Sequence, residues 1–251
     1  MQAYLTLTRR ELAGFFVSLT GYIIIAGTVF MMGMSFMDLL VLLQGEATPM
    51  PVTQLFYSTD YFWGILRLAT PVITMRLFAL EKYSGTFETL MTTPVSDLQV
   101  VLAKFTAAMI FYMLMWLPSI LSLVILRHYI SSAEAFDVGM VGSTFLGIFL
   151  VGSLFISLGC FASALTKSQI VAAMISFTLG YSLFLLSYLS GHLPLDAGWQ
   201  AAFISHVALF EHMNDFARGL VDTRHVVFYV STTFLFLFLT LRVVESRRWK
   251  T

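Results

Sequence analysis

Apolar positions run in six long stretches, at about residues 17–43, 61–80, 100–126, 139–165, 168–190 and 225–241, with the charged positions gathered between them. About 20 apolar residues in a helix cross the hydrocarbon core of a bilayer, so the pattern predicts six spans. The second is the least apolar because it holds Arg67 and Arg76. The third opens near Lys104, whose stem can lie on apolar surface while the amine reaches water, and carries Pro118, which predicts a kink. The fourth repeats small residues four apart, Ser143 with Gly147, Ser153 with Ser157 and Gly159 with Ser163. Such pairs let helix backbones approach closely in lipid, and packing inside the bundle is a better account of them than a subunit interface.

The connections carry their own periodicity. Between the second and third spans, Ser84-Gly85-Thr86 supplies hydroxyls at a helix start, and Phe87, Leu90 and Met91 follow at i, i+3, i+4. Pro94 pushes Thr93 out of the α region and stops that helix. Ser96-Asp97-Leu98-Gln99 then has the S-x-x-Q form of a capping box. A short amphipathic helix within 81–95, tied between two spans, needs a protein surface to cover its apolar face. Residues 1–16 predict an interfacial helix, with Tyr4, Leu5, Leu12, Phe15 and Phe16 in lipid and Arg9, Arg10 and Glu11 wet. The apolar run that follows is too long for a signal-peptide core and lacks an A-x-A-like site, so it is expected to be retained. In 191–224, Phe203, Val207, Phe210, Met213 and Leu220 recur at helical spacing, predicting an amphipathic or re-entrant segment. It caps the bundle, or serves as a gate or docking element.

Composition sharpens this into a membrane protein. The chain is 58% hydrophobic with only 14 basic and 14 acidic residues, so nothing favours nucleic acid. The lone Cys160 cannot form an internal disulfide. Cations set orientation. Arg9, Arg10, Lys82, Lys104, Lys167, Arg242, Arg247, Arg248 and Lys250 fall on one side, against Arg127, Arg218 and Arg224 on the other. Both termini and the 81–99 segment are therefore expected in the cytoplasm.

Within the spans, a basic group near mid-bilayer costs roughly 2.5–3.5 kcal/mol on insertion scales and seeks a partner or a wet cavity. Asp38 and Arg67 lie at similar depth from the outer side, so two readings stand: an interhelical ion pair, or Arg67 snorkelling outward with Asp38 interfacial. Arg76 is expected to reach headgroups or Glu81. Catalytic signatures are missing. There is no G-x-x-x-x-G-K-[ST] loop, no H-E-x-x-H and no G-x-S-x-G. All five histidines fall in or beside outer connections, which removes haem ligation within the spans. His206, Glu211 and His212 could meet a metal, but their spacing is not diagnostic, and solvated side chains are the expectation. No catalytic residue and no metal site is assigned.

The run PVITMRLFALEKYSGTFE at 71–88, continued by LMTTPVS at 90–96, resembles the permease subunits of ABC-2 type exporters. It looks most like the branch that includes the gliding-motility-associated permeases. In that family this segment is the cytoplasmic coupling helix that docks on the ATP-binding subunit, and Glu81, Gly85, Thr86, Glu88, Leu90 and Pro94 match by position. Leu80 stands where the first acid of a pair is usual, and Tyr83 where a basic residue is common. A weaker match is Phe216-Ala217-Arg218-Gly219-Leu220-Val221-Asp222-Thr223-Arg224. The resemblance implies one all-α polytopic domain over 1–251 in a bacterial-type inner membrane. It implies two ATP-binding subunits that carry ATP and Mg²⁺, no cofactor in this chain, and a second permease half, identical or homologous. It also leaves room for an outer-face auxiliary protein. The rival reading is a non-transporting scaffold that recruits a cytoplasmic partner through the same helix. An intramembrane enzyme or redox subunit lacks any ligand or nucleophile set in the spans.

Overall fold

In lipid every backbone N–H and C=O must be satisfied within the protein, and the chain meets that demand with helices alone among its described residues. The computed structural model describes residues 2–43, 52–87, 95–129, 138–192 and 206–246. Eleven helices are named here: α1 Gln2–Val17, α2 Leu19–Leu43, α3 Val52–Ser58, α4 Asp60–Thr74, α5 Ala79–Ser84, α6 Asp97–Met115, α7 Leu117–Tyr129, α8 Val138–Leu165, α9 Gln169–His192, α10 Leu209–Ala217 and α11 Thr223–Glu245. Six segments are long and apolar enough to cross a membrane: Leu19–Leu42, Asp60–Ser84, Asp97–Ile125, Val138–Leu165, Gln169–Leu189 and Thr223–Glu245. The fold is all-α and polytopic, as the apolar pattern predicts.

Two spans are jointed. The second consists of α4, a corner at residues 75–78, and α5, so it extends to Ser84 rather than ending near 80. Gly85 closes α5 at φ +74, a left-handed position that glycine occupies without penalty, and Thr86 and Phe87 resume helical geometry. Ser84-Gly85-Thr86 therefore separates two helical pieces. The third span breaks at Trp116, two residues before Pro118. The Trp116 N–H turns back to Met113 O at 3.1 Å, and Ser119 N–H to Trp116 O at the same distance. Ser96 forms the expected capping box, accepting from Gln99 N–H at 3.3 Å while its own N–H donates to Gln99 Oε1 at 3.4 Å.

Helix α8 is the central pillar, and its small residues are spent inside the bundle. A Cβ on Gly152 would sit 2.2 Å from the Tyr112 ring, and one on Gly159 would sit 2.0 Å from Thr74 Oγ1. Ser153 Oγ meets Thr233 Oγ1 of α11 at 3.1 Å. Close backbone approach is what such positions permit.

One expectation for the surface helices changes. Helix α1 lies along α6, with the Tyr4 hydroxyl 2.8 Å from Thr106 Oγ1 and Phe15 stacked on Phe111 at 4.7 Å. Tyr4, Leu12 and Phe15 thus face protein, while Leu5 and Phe16 remain exposed. Helix α10 packs onto the end of the bundle, against α8. Leu209, Met213 and Phe216 are buried, and Phe216 fills the notch at Gly147. Ser143 Oγ donates to Phe216 O at 2.6 Å, and Thr53 Oγ1 donates to Ala217 O at 2.7 Å. A Schellman stop follows: Leu220 N–H bonds Asp215 O at 2.9 Å, Gly219 N–H bonds Phe216 O at 3.1 Å, and Gly219 takes φ +86. Asp222 then caps α11 through Arg224 N–H at 2.8 Å. Phe203 lies outside the described residues, and Leu220 is exposed.

Candidate functional site: the clamped foot

A six-residue helix such as α5 has little stability of its own, so whatever rigidity it has comes from its neighbours. Three attachments supply it. At the corner, Ser163 of α8 accepts from the N–H groups of Phe78 at 3.0 Å and Ala79 at 3.1 Å and donates to Met75 O at 3.2 Å. One hydroxyl satisfies two of the donors a helix start leaves open. Lys82 Nζ, itself buried, donates to Ala164 O at the end of α8, and lies 5.4 Å from the Phe87 ring. The third attachment is ionic. Lys104 of α6 is only 2% exposed, with Nζ 3.0 Å from Glu81 Oε1 and 3.2 Å from Glu11 Oε1. Arg10 joins from the solvent side, at 2.7 Å to Glu11 and 3.2 Å to Glu81. The hydrogen bond that Arg10 donates to Glu11 holds its guanidinium pKa above the ordinary value. Lys104 therefore does not snorkel to water. It bridges α1, α5 and α6.

Beside this bridge a cavity of about 570 Å³ opens between α1 and the corner, lined by Arg10, Glu11, Phe15, Arg76, Glu81, Thr86 and Lys104 among others. Arg76 faces it half-buried. No ion pair joins Arg76 to Glu81, whose carboxylate is taken by Lys104 and Arg10.

Of the residues matched to the coupling segment, Glu81, Gly85 and Thr86 are described. Glu81 points into the clamp, Gly85 ends α5, and Thr86 Oγ1 lies 2.8 Å from Ser84 Oγ. Glu88, Leu90 and Pro94 lie outside the described residues. Sequence reasoning missed Arg10, Glu11, Lys82 and Ser163 as parts of this site. A lysine four residues into a span, its nearest acid in the chain two turns away at Asp97, was the one available signal of a distant carboxylate partner.

At the opposite end of the bundle, Arg67 and Asp38 are not brought together. Asp38 is exposed on α2, and no ion pair joins the two. Arg67 Nε donates to Trp63 O at 3.1 Å, and its guanidinium lies 4.1 Å over the Phe184 ring. It borders a second cavity, of about 480 Å³, between α4, α9 and α10. The histidines also depart from expectation. His212 is buried, stacked on His225 at 3.9 Å, with Nδ1 3.3 Å from the Tyr229 hydroxyl. Burial first, then the neighbouring His225 and His206, push His212 down to about 4. Among the described residues no group of three or more His, Cys, Asp or Glu side chains is placed to hold a metal.

No curated protein matches the chain. The sequence pattern described as "ABC-2 family transporter protein" matches residues 18–183, about two-thirds of the chain, from the second helix through the foot and pillar to most of α9. With six apolar spans arranged around that pillar, the chain belongs to the ABC-2 transporter family and is a multi-pass membrane protein of its transmembrane, permease kind.

Proposed function

We propose that the chain is the permease subunit of an ABC-2 type exporter, and that the foot formed by α5 and the following turn takes up motion from a separate ATP-binding subunit. The observation that carries this reading is the triple attachment of α5 to α8, α6 and α1, made on one side while Tyr83 on the other stays 79% exposed. A segment so held has almost no freedom to move alone. A push on its exposed side passes into the pillar through Ser163 and into the third span through Lys104. Coupling of this kind needs two global states that the partner binds with different affinity. In this reading the foot and both termini face the cytoplasm, as the excess of cations on that side supports. Two ATP-binding subunits bring ATP and Mg²⁺ to a pair of permease halves in an inner membrane. Placement in the gliding-motility-associated branch rests on the 71–96 run alone.

The test is to insert two glycines after Gly85, or to reverse the charge at Glu88, in the assembly reconstituted with its ATP-binding subunit. ATP hydrolysis should persist while ATP-dependent export is lost. Undiminished export in either variant would refute the role of the foot. A partner that binds the foot, with no nucleotide-dependent change anywhere in the bundle, would favour the scaffold reading instead.

A further inference from the structure

Asp60 opens α4, and Arg67 follows seven residues later, close to two full turns, so both lie on one face of the helix. A side chain leans toward the N-terminus of its helix, and Arg67 does so, its Nε reaching Trp63 O one turn above. That brings the guanidinium to within about one turn, roughly 5 Å along the axis, of the level of Asp60. The ring of Phe184 covers one face of the guanidinium, and Phe184, Phe210 and Trp63 form a continuous aromatic wall, with centroids 4.5 to 5.9 Å apart. The cavity of about 480 Å³ lies against this wall, and Glu211 of α10 joins Asp60 at its exposed rim.

The three charges in this cleft have no ion-pair partner among the described residues. Among the described residues, Arg67 has no carboxylate partner, and its one hydrogen bond uses Nε, which leaves both terminal amino groups without a protein acceptor. Among the described residues Asp60 and Glu211, both solvent-exposed, have no cation partner either. Arg67 is half-buried, and its cation–π contact, worth about 0.5–2 kcal/mol, leaves the terminal amino groups open to an anionic acceptor. An anionic ligand alone would meet Arg67 but crowd its charge against two carboxylates. A cationic ligand alone would suit the rim and the aromatic wall but leave Arg67 as it stands. A ligand with an anion about one turn below an amine satisfies all three charges together. We infer that this cleft binds the zwitterionic headgroup of an amphiphile, a phosphate on Arg67, an ammonium between Asp60 and Glu211, and apolar chains along Trp63, Phe184 and Phe210. The inference is independent of the role of the foot.

The experiment is native mass spectrometry of the full-length chain from micelles doped equally with phosphatidylethanolamine and phosphatidylglycerol, with free phosphoethanolamine as competitor. The wild type should retain the zwitterionic lipid in preference and release it to the competitor. Arg67→Gln should lower that retention about tenfold, the order set by one charge-assisted hydrogen bond. Asp60→Asn combined with Glu211→Gln, at exposed positions that do not enter the packing, should bring the two lipids to parity without reducing the anionic one. Equal retention of both lipids by the wild type, or an unchanged ratio in the double variant, would overturn the assignment. So would undiminished zwitterion retention in Arg67→Gln. Failure of the free headgroup to compete would show that the acyl chains alone are held, and would overturn it as well.

Discussion

Replacing Lys104 with methionine removes one charge and little volume from the point where α1, α5 and α6 meet. At an effective dielectric of ~20, each of the 3.0 and 3.2 Å contacts to Glu81 and Glu11 corresponds to an attraction of about 5 kcal/mol, largely offset by desolvation of the three groups. Truncating one partner of such a buried set usually costs about 3–5 kcal/mol, because charges are left behind without compensation. Here the lower end applies. Arg10 remains within 3.2 Å of both acids, although it is 55% exposed and screened by solvent. The penalty falls on Glu81 in particular, whose Oε2 is already buried without a hydrogen-bond partner. About 3 kcal/mol corresponds to roughly a 100-fold rise in the opening equilibrium of the foot. Amide hydrogen exchange over 79–87 in the full-length protein would read that rise directly, and Lys104→Met combined with Glu81→Gln should recover much of the loss. Unchanged exchange in Lys104→Met, or no recovery in the double variant, would show that the ionic bridge does not hold the foot.

Two further predictions concern the pillar and the far end. Gly159→Ala places a methyl 2.0 Å from Thr74 Oγ1, which is committed to Thr70 O, so the thermal midpoint should fall by the equivalent of about 2 kcal/mol or more. Gly142→Ala in the same helix meets nothing within 4 Å and should hold the midpoint or raise it slightly. His212 sits at about 4 in the folded protein, against an ordinary value of 6.5, beside His225, His206, Asp222 and Tyr229. Below pH 6.5 the unfolded chain takes a proton that the folded one refuses. Stability should therefore fall between pH 6.5 and 4, by about 2 kcal/mol from pH 7 to 5. His212→Gln should flatten that slope in a pH series of melting midpoints, and an equal slope in the variant would assign it to another group.

What the linear pattern carries well is what depends on near neighbours. Span number, the capping box at Ser96 and Gln99, and the small residues of α8 are all local, and all stand as expected. What depends on direction around a helix axis is not carried. Asp38 and Arg67 match in depth, yet depth says nothing of azimuth, and Asp38 faces away from the bundle. Amphipathic spacing in α1 and α10 is the same whether the apolar face meets lipid or protein, so Phe15 and Phe216 reveal their partners only in three dimensions. Lys104 shows the same limit in charge. Its length suits snorkelling as well as bridging, and only the placement of Glu11 and Glu81 decides between them.

The Ser163 hydroxyl has a consequence for biogenesis. It lies 85 residues downstream of Phe78, whose N–H it accepts, so the corner cannot be completed while only the first half of the polypeptide exists. At roughly 5–20 residues per second, the ribosome needs about 4 to 17 s to deliver it. During that interval two nascent amides have no resident acceptor and must borrow one from water, lipid or an insertion chaperone. The second span of this protein is therefore provisional when it leaves the translocon, and it matures only when the fourth arrives.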